Sequence, residues 1–273
     1  QVIAQDSGAV LDEITVTATK RSLSVQDIPA TIQAISAESL KEMGAKAMED
    51  YSRFIPSVNV VTYGAGSNTV VFRGAITGAG YIAQSTSSVY LDEISITTTG
   101  SQPAIRMVDI ERIEALSGPQ GTLYGSDAQA GTMRIITNKP DMSQMGVILD
   151  GEVRGGSESD SSYRGSIVFN VPLVEDKLAL RVAGYSDHDG GYIDNVFGHT
   201  PDSSMPGIGQ AYPSGYGTLD NADSVEENWN DADTTGARLI LQWDMSDNWS
   251  TSLTALTQTT DGGAQNDYDP YVG

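Results

Sequence analysis

Apolar and polar positions follow two regimes along this chain. Up to about residue 140, short apolar runs are broken by glycine, proline and polar clusters. Leu11, Ile14 and Val16 alternate with polar residues after Asp12 and predict a strand at 11–19. A second alternating strand is expected at 31–35. Ser36 then caps a helix over 37–43 that Gly44 ends, and a second short helix covers 47–53 before Pro56. Further strands are expected at 57–61, 69–74, 88–96, 109–116 and 132–137, with a turn at 64–68 and a loop at 97–104. The sum is a small mixed sheet with short helices, an α+β domain.

Beyond that point the alternation is long and regular. Val147, Leu149 and Val153 alternate with Ile148, Asp150, Glu152 and Arg154. The same holds at 163–171, 177–183, 237–243 and 249–255. Period two with one apolar face suits either a lipid-facing barrel wall or a soluble β-sandwich. Loop lengths favour the barrel. Short turns at 172–176 and 245–248 contrast with a loop over 188–233, and short turns at one end with long loops at the other mark barrel ends. A barrel of 22 strands needs roughly 220 residues in strands, whereas the residues after Pro140 hold about five. The expectation is therefore antiparallel strands of an incomplete 22-stranded transmembrane β-barrel, with a boundary near the Asn138-Lys139-Pro140-Asp141 turn.

Composition sharpens this division. The 273 residues carry 15 Lys+Arg against 36 Asp+Glu, a net charge of −21. Up to Pro140 there are 10 basic and 14 acidic residues; after it there are 5 and 22. Such a balance repels phosphate backbones and argues against a nucleic-acid partner. Cysteine is absent, which removes disulfides, thiolate metal sites and thiol nucleophiles. No apolar run reaches the length of a membrane-spanning helix, and that leaves barrel strands untouched.

Candidate chemistry is sparse. Ser117-Gly118-Pro119-Gln120-Gly121-Thr122-Leu123-Tyr124-Gly125 packs three glycines and a proline around one aromatic, a tightly specified turn. No Lys-Ser/Thr follows the glycines, so it is not read as a phosphate loop. His188 and His199 are read as solvated residues of the long loop rather than metal ligands. Asp220, Asp223, Glu226, Glu227, Asp231 and Asp233 lack calcium-loop spacing and are read as solvated surface. No metal, no cofactor and no catalytic residue is expected, so the chain is not read as an enzyme. An enzyme built on the glycine-rich turn is the weakest alternative.

The order of segments resembles the plug domain of TonB-dependent outer-membrane receptors. Residues 11–19 look like the TonB box, and "QDIPATIQAISAESL" at 26–40 like the first strand and helix of the plug. "VVFRGAITG" at 70–78 and "VYLDEISI" at 89–96 resemble two further plug strands. "DIERIEALSGPQGTLYGSDAQAGTMRIITNKP" at 109–140 resembles the family's most specific stretch, with Ser117 where the family carries Arg. The resemblance implies a flexible tail at 1–10, a TonB box at 11–19, a plug at 20–140, and the first strands of a barrel at 141–273. It further implies import of a scarce solute, such as an iron–siderophore, vitamin or oligosaccharide, across the bacterial cell outer membrane. The partners implied are the periplasmic TonB protein, outer-membrane lipid and the solute.

TonB contact is expected through Asp12, Glu13, Ile14, Thr15, Val16, Thr17 and Ala18. Solute contacts are expected from plug loops at Tyr63, Ser67, Asn68, Tyr81, Gln84, Thr98, Ser101 and Gln102. Aromatic stacking is expected from the long extracellular loop at Tyr192, Phe197 and Trp229. The alternative function is a β-rich surface adhesin or carbohydrate-binding module without transport.

Overall fold

The computed structural model describes residues 15–17, 20, 23–24, 28, 30–45, 47–62, 64–77, 84–99, 101–157, 159–198 and 221–262. They divide into two units, one running up to Val61 with Thr69–Asn138, the other Thr62–Asn68 with the residues from Lys139 onward.

The first unit begins with a two-residue hairpin, β1 (Thr15–Val16) against β2 (Leu23–Ser24). β3 (Thr31–Ser36) leads into α1 (Ala37–Glu42) and α2 (Met48–Ser52). Ser36 Oγ accepts from the Ser39 N–H at 3.3 Å, and Gly44, at φ 62°, lets the chain leave the first helix. Next come β4 (Val58–Thr62), β5 (Ser67–Phe72), β6 (Ser87–Leu91), β7 (Ile94–Ser95) and β8 (Gln102–Pro103). β9 (Ile110–Ser117), α3 (Gly121–Tyr124) and β10 (Gly131–Thr137) complete the unit. The main sheet runs β3-β9-β10-β6-β7, with β10 parallel to β6 and the other pairs antiparallel. Tyr51, Phe72, Val89, Ile113, Met133 and Ile135 are buried in its core. There the Tyr51 hydroxyl donates to Met133 Sδ at 3.4 Å, and burial raises its pKa.

Two expectations are corrected here. Residues 88–96 are not one strand. Asp92 sits at φ 52° and turns the chain into the β6–β7 hairpin. Its carboxylate accepts from Thr137 N at 3.0 Å and Thr137 Oγ1 at 2.7 Å, which holds the turn onto β10. The glycine-rich segment is more than a turn, since it contains α3 between Gly118 (φ 101°) and Gly125 (φ 82°).

The second unit is an antiparallel meander of β11 (Gly146–Gly156), β12 (Ser159–Val174), β13 (Leu178–Asp189), β14 (Ala232–Ser246) and β15 (Trp249–Gly262). The strands are longer than the alternation indicated. β12 continues through Pro172 to Val174 by way of a register shift just after that proline. Likewise the long loop spans 190–231 rather than 188–233. His188 pairs with Asp233 across β13 and β14, so it is a strand residue and not a loop residue. Asn170 secures the entry to this sheet, accepting from Asp141 N and donating to Asp141 O, both at 2.8 Å. The Asp141 carboxyl is itself held below the usual carboxylate range, first by the Ser143 hydroxyl.

Candidate functional site

The segment at 15–17 does not float free. Val16 is fully buried among Ile28, Ile32, Leu116, Tyr124 and Ala128. An apolar side chain inserted into such a pocket anchors the backbone on either side of it. Thr17 beside it is gripped by charge. Its N–H donates to Glu114 Oε1 at 2.9 Å, and its hydroxyl accepts from Arg134 at 2.9 Å and Arg112 at 3.2 Å.

Those three residues form a network on neighbouring positions of β9 and β10, where Glu114 faces Arg134 across the ladder. Glu114 and Arg134 are buried, and their side chains meet at 2.6 Å. Arg112 Nε donates to Glu114 Oε1, the oxygen that also accepts from Thr17, at 2.8 Å. Arg134 reaches on to Glu93 at 2.8 Å, and Glu93 in turn pairs with Lys20. Lys20 lies 4.9 Å over the Tyr124 ring, a cation–π contact. Burial pushes the Tyr124 hydroxyl up to about 12, against the opposing pull of Arg134.

Of the expected TonB contacts, Thr15, Val16 and Thr17 are therefore placed together on the sheet, with Thr15 exposed. Asp12, Glu13, Ile14 and Ala18, with the tail at 1–10, lie outside the described residues. Glu114, Arg134, Arg112, Glu93 and Lys20 are absent from the expected site residues. The signal for them was present: Arg134 interrupts an otherwise uncharged strand, and a charge in a buried strand demands a partner.

The expected plug-loop contacts differ in burial and in partners. Gln102 is buried and spent, accepting from Val70 N at 3.2 Å and donating to Ser85 Oγ at 2.7 Å. Asn68 is also fully buried, and neither side-chain polar atom has a hydrogen-bond partner. Ser67 is partly buried. Gln84 is exposed, and its carbonyl accepts from Thr77 Oγ1 at 2.7 Å. Thr98 donates to the Ser101 carbonyl, closing that loop on itself. Tyr63 and Tyr81 lie outside the described residues.

The base of the long loop is ordered by asparagines. Asn195 and Glu226 form an antiparallel bridge, and Asn221 Nδ2 donates to Asn195 Oδ1 at 2.9 Å. Asn230 Oδ1 accepts from the N–H groups of Tyr192 and Ile193, both at 2.7 Å. Tyr192 and Phe197 stand exposed on this frame, and Trp229 is half-buried. His199 and Asp220 lie outside the described residues. His188 Nδ1 contacts Asp233 Oδ1 at 2.8 Å and stacks on Tyr163 with 4.8 Å between ring centroids. Among the described residues, no group of three or more His, Asp or Glu side chains is arranged to hold a metal ion.

Cross-strand register puts the apolar residues of the second sheet in continuous rows. Val147, Phe169, Val182, Leu239 and Ala255 form one; Val171, Leu180, Leu241 and Leu253 form another. Asp150, Arg164, Asp187 and Arg238 lie on the alternate positions.

Residues 24–132 match the TonB-dependent Receptor Plug Domain family. Over 178 residues the chain is 30% identical to the pesticin receptor of Yersinia pestis, an alignment covering 64% of this chain and 25% of that protein. The chain belongs to the TonB-dependent receptors. It is also 31% identical over 187 residues to the vitamin B12 transporter BtuB of Photobacterium profundum, covering 67% of this chain and 30% of the transporter. The chain thus spans between a quarter and a third of these relatives. In fold it resembles the ferripyoverdine receptor of the outer membrane of Pseudomonas aeruginosa, with TM-score 0.64 at 18% identity over 98% of this chain and 32% of that one. The ferric yersiniabactin uptake receptor of Yersinia pestis gives TM-score 0.62 at 22% identity over 85% and 32%. The family comprises outer-membrane transport receptors, not enzymes. The first unit is therefore a plug domain, and the second resembles the antiparallel strands of these receptors' barrels.

Proposed function

We propose that this chain is the plug and first barrel strands of a receptor that imports a scarce solute across the outer membrane, powered through TonB. One observation carries the reading: a plug with a docked, strand-forming N-terminal segment is followed in one chain by a sheet with adjacent apolar rows on one face. On that face the rows end in Trp243 and Trp249 near the short turns and in Tyr163 near the long loop. From Leu178 to His188 is about ten residues, roughly 33 Å along the strand at ~3.3 Å each. At a strand tilt of roughly 40° that is about 25 Å of height, the apolar band of an outer-membrane barrel between its aromatic girdles. The five strands then belong to a closed 22-stranded barrel in the full receptor, since lipid leaves no room for open edges.

Solute binding favours a state with the N-terminal segment released, and TonB adds a strand to it. The relatives' names point to a siderophore or vitamin as solute. Tyr192, Phe197 and Trp229 of the loop, with Ser67, Gln84, Thr98 and Ser101 of the plug, are the proposed contacts. In the full receptor, deletion of residues 11–19 is expected to abolish uptake of radiolabelled solute while surface binding persists. Uptake that survives the deletion overturns the mechanism.

A further inference from the structure

We propose that the base of the long loop, from Tyr192 to Asp231, selects a solute that carries positive charge beside an apolar face and turns away polyanionic chelates. The inference deepens the reading of that loop as a solute contact and rests on it. Two independent features of the segment agree. The first is charge. Residues 190–231 hold seven Asp and Glu and not one Lys or Arg. Asp194, Asp223, Glu226 and Glu227 of these stand exposed. The arginines at the neighbouring strand ends are already engaged, Arg154 with Glu152 at 3.3 Å and Asp189 at 3.6 Å, and Arg164 with Glu152 at 3.8 Å. A surface of one sign concentrates ligands of the other sign and repels its own. An anionic chelate finds no guanidinium or ammonium in this segment to clamp it.

The second feature is the apolar surface on offer. Tyr192 is 63% exposed and Phe197 59%, and Val196 and Val225 stand exposed beside the Asn195–Glu226 bridge. Exposed apolar side chains gathered in one short segment mark a contact surface. An aromatic ring presents a negative face, so it attracts ammonium and guanidinium groups rather than carboxylates. Carboxylate and ring therefore favour the same ligand, a cation with apolar bulk. Neutral groups hold this surface in shape. Asn230 Oδ1 accepts from the N–H groups of Tyr192 and Ile193, and Asn221 Nδ2 donates to Asn195 Oδ1 and the Val196 carbonyl, both at 2.9 Å. The side chains of Asp223, Glu226 and Glu227 make none of these bonds. Their charge is left to act on a ligand, and a surface already in shape costs less to order on binding.

The test uses the full receptor in detergent and three ferric trihydroxamate chelates that share one neutral iron core and one chain. The first ends in a free amine, the second in its acetyl amide and the third in its succinyl half-amide, so the end group is cationic, neutral or anionic. Binding is read by equilibrium dialysis with radioactive iron. The amine form is expected to bind about tenfold more tightly than the succinyl form, with the acetyl form between them. In about 1 M salt, where charges are screened beyond roughly 3 Å, that gap is expected to shrink. Asp223→Asn, Glu226→Gln and Glu227→Gln together are expected to bring the amine form within about threefold of the succinyl form. Tyr192→Leu with Phe197→Leu keeps the apolar bulk and removes the rings. It is expected to weaken the amine form by about threefold and to leave the succinyl form unchanged. Equal affinities for the three chelates, a gap that both variants leave untouched, or retention of none of them at about 1 mM overturns selection at this surface. Selective binding by a receptor whose cells take up none of the label leaves the selection standing and overturns the import reading. Uptake without charge preference does the reverse.

Discussion

At the residue scale, burial of polar groups decides the behaviour of this plug. Tyr124 packs against Val16 on one side and under Lys20 on the other, and its hydroxyl is pushed up to about 12. Tyr51, deeper in the core, is raised as well. In the unfolded chain both phenols titrate near 10. Between about pH 10 and 12 the unfolded state therefore binds fewer protons than the folded one, and stability falls as pH rises. Below the unfolded value both states are protonated and the contribution is complete. Chemical unfolding of the plug in the full receptor, followed by a fluorophore on a cysteine at the exposed Leu123, is expected to draw no pH dependence from Tyr124 below about pH 9. Above pH 10 it should weaken steadily, and Tyr124→Phe should flatten part of that slope, Tyr51 carrying the rest. An unaltered slope in Tyr124→Phe means that the phenol ionises equally in both states. The same scale separates the legible residues from the illegible ones. Val16 was readable because it stands in an alternating segment. Gln102 and Asn68 were read as loop contacts because sequence places a polar residue in a loop and says nothing of what packs over it.

At the element scale, a close approach between strands fixes the plug sheet. A Cβ added at Gly131, the first residue of β10, meets the Phe72 ring at 2.4 Å and the Leu116 carbonyl oxygen at 2.8 Å. Neither neighbour is free to yield, because Phe72 is fully buried and the carbonyl belongs to β9. Gly131→Ala is expected to destabilise the plug by about 1–3 kcal/mol through overpacking. Gly121→Ala meets nothing within 4 Å and opens α3, where alanine is tolerated. Denaturant midpoints of the two variants check this, and equal midpoints refute the packing argument. Elements were more legible than residues. Helix α1 was readable from Ser36 and Gly44, since capping groups are local signals. The break at Asp92 was not, because its left-handed conformation is secured by Thr137, forty-five positions away in the chain. The polar start of β12, Ser159 to Ser162, was likewise missed, since strand continuation there depends on partners in β11 rather than on its own alternation.

At the scale of the whole molecule, the apolar face of the second sheet separates a membrane wall from a soluble module. Leu239 sits in the middle row, flanked across the ladder by Val182 and Ala255. Thr235 projects from the same face of β14 but nearer the long loop, opposite Ser186 and Thr259. A charge at the bilayer midplane of a barrel wall costs about 2–4 kcal/mol, falling to about 0–1 near the interface. In the full receptor reconstituted into lipid vesicles, Leu239→Arg should therefore unfold at clearly lower urea than the parent, while Thr235→Arg should unfold close to it. In a water-facing sheet no such depth dependence exists: arginine spreads its stem over apolar neighbours and keeps its head in water at both positions. Equal midpoints for the two variants would place this face in water and favour a surface adhesin or carbohydrate-binding module over the transporter. A midpoint loss confined to Leu239→Arg ties the row register, the Trp243 and Trp249 positions and the estimated height of the face to one cause, contact with lipid along the outside of a closed barrel.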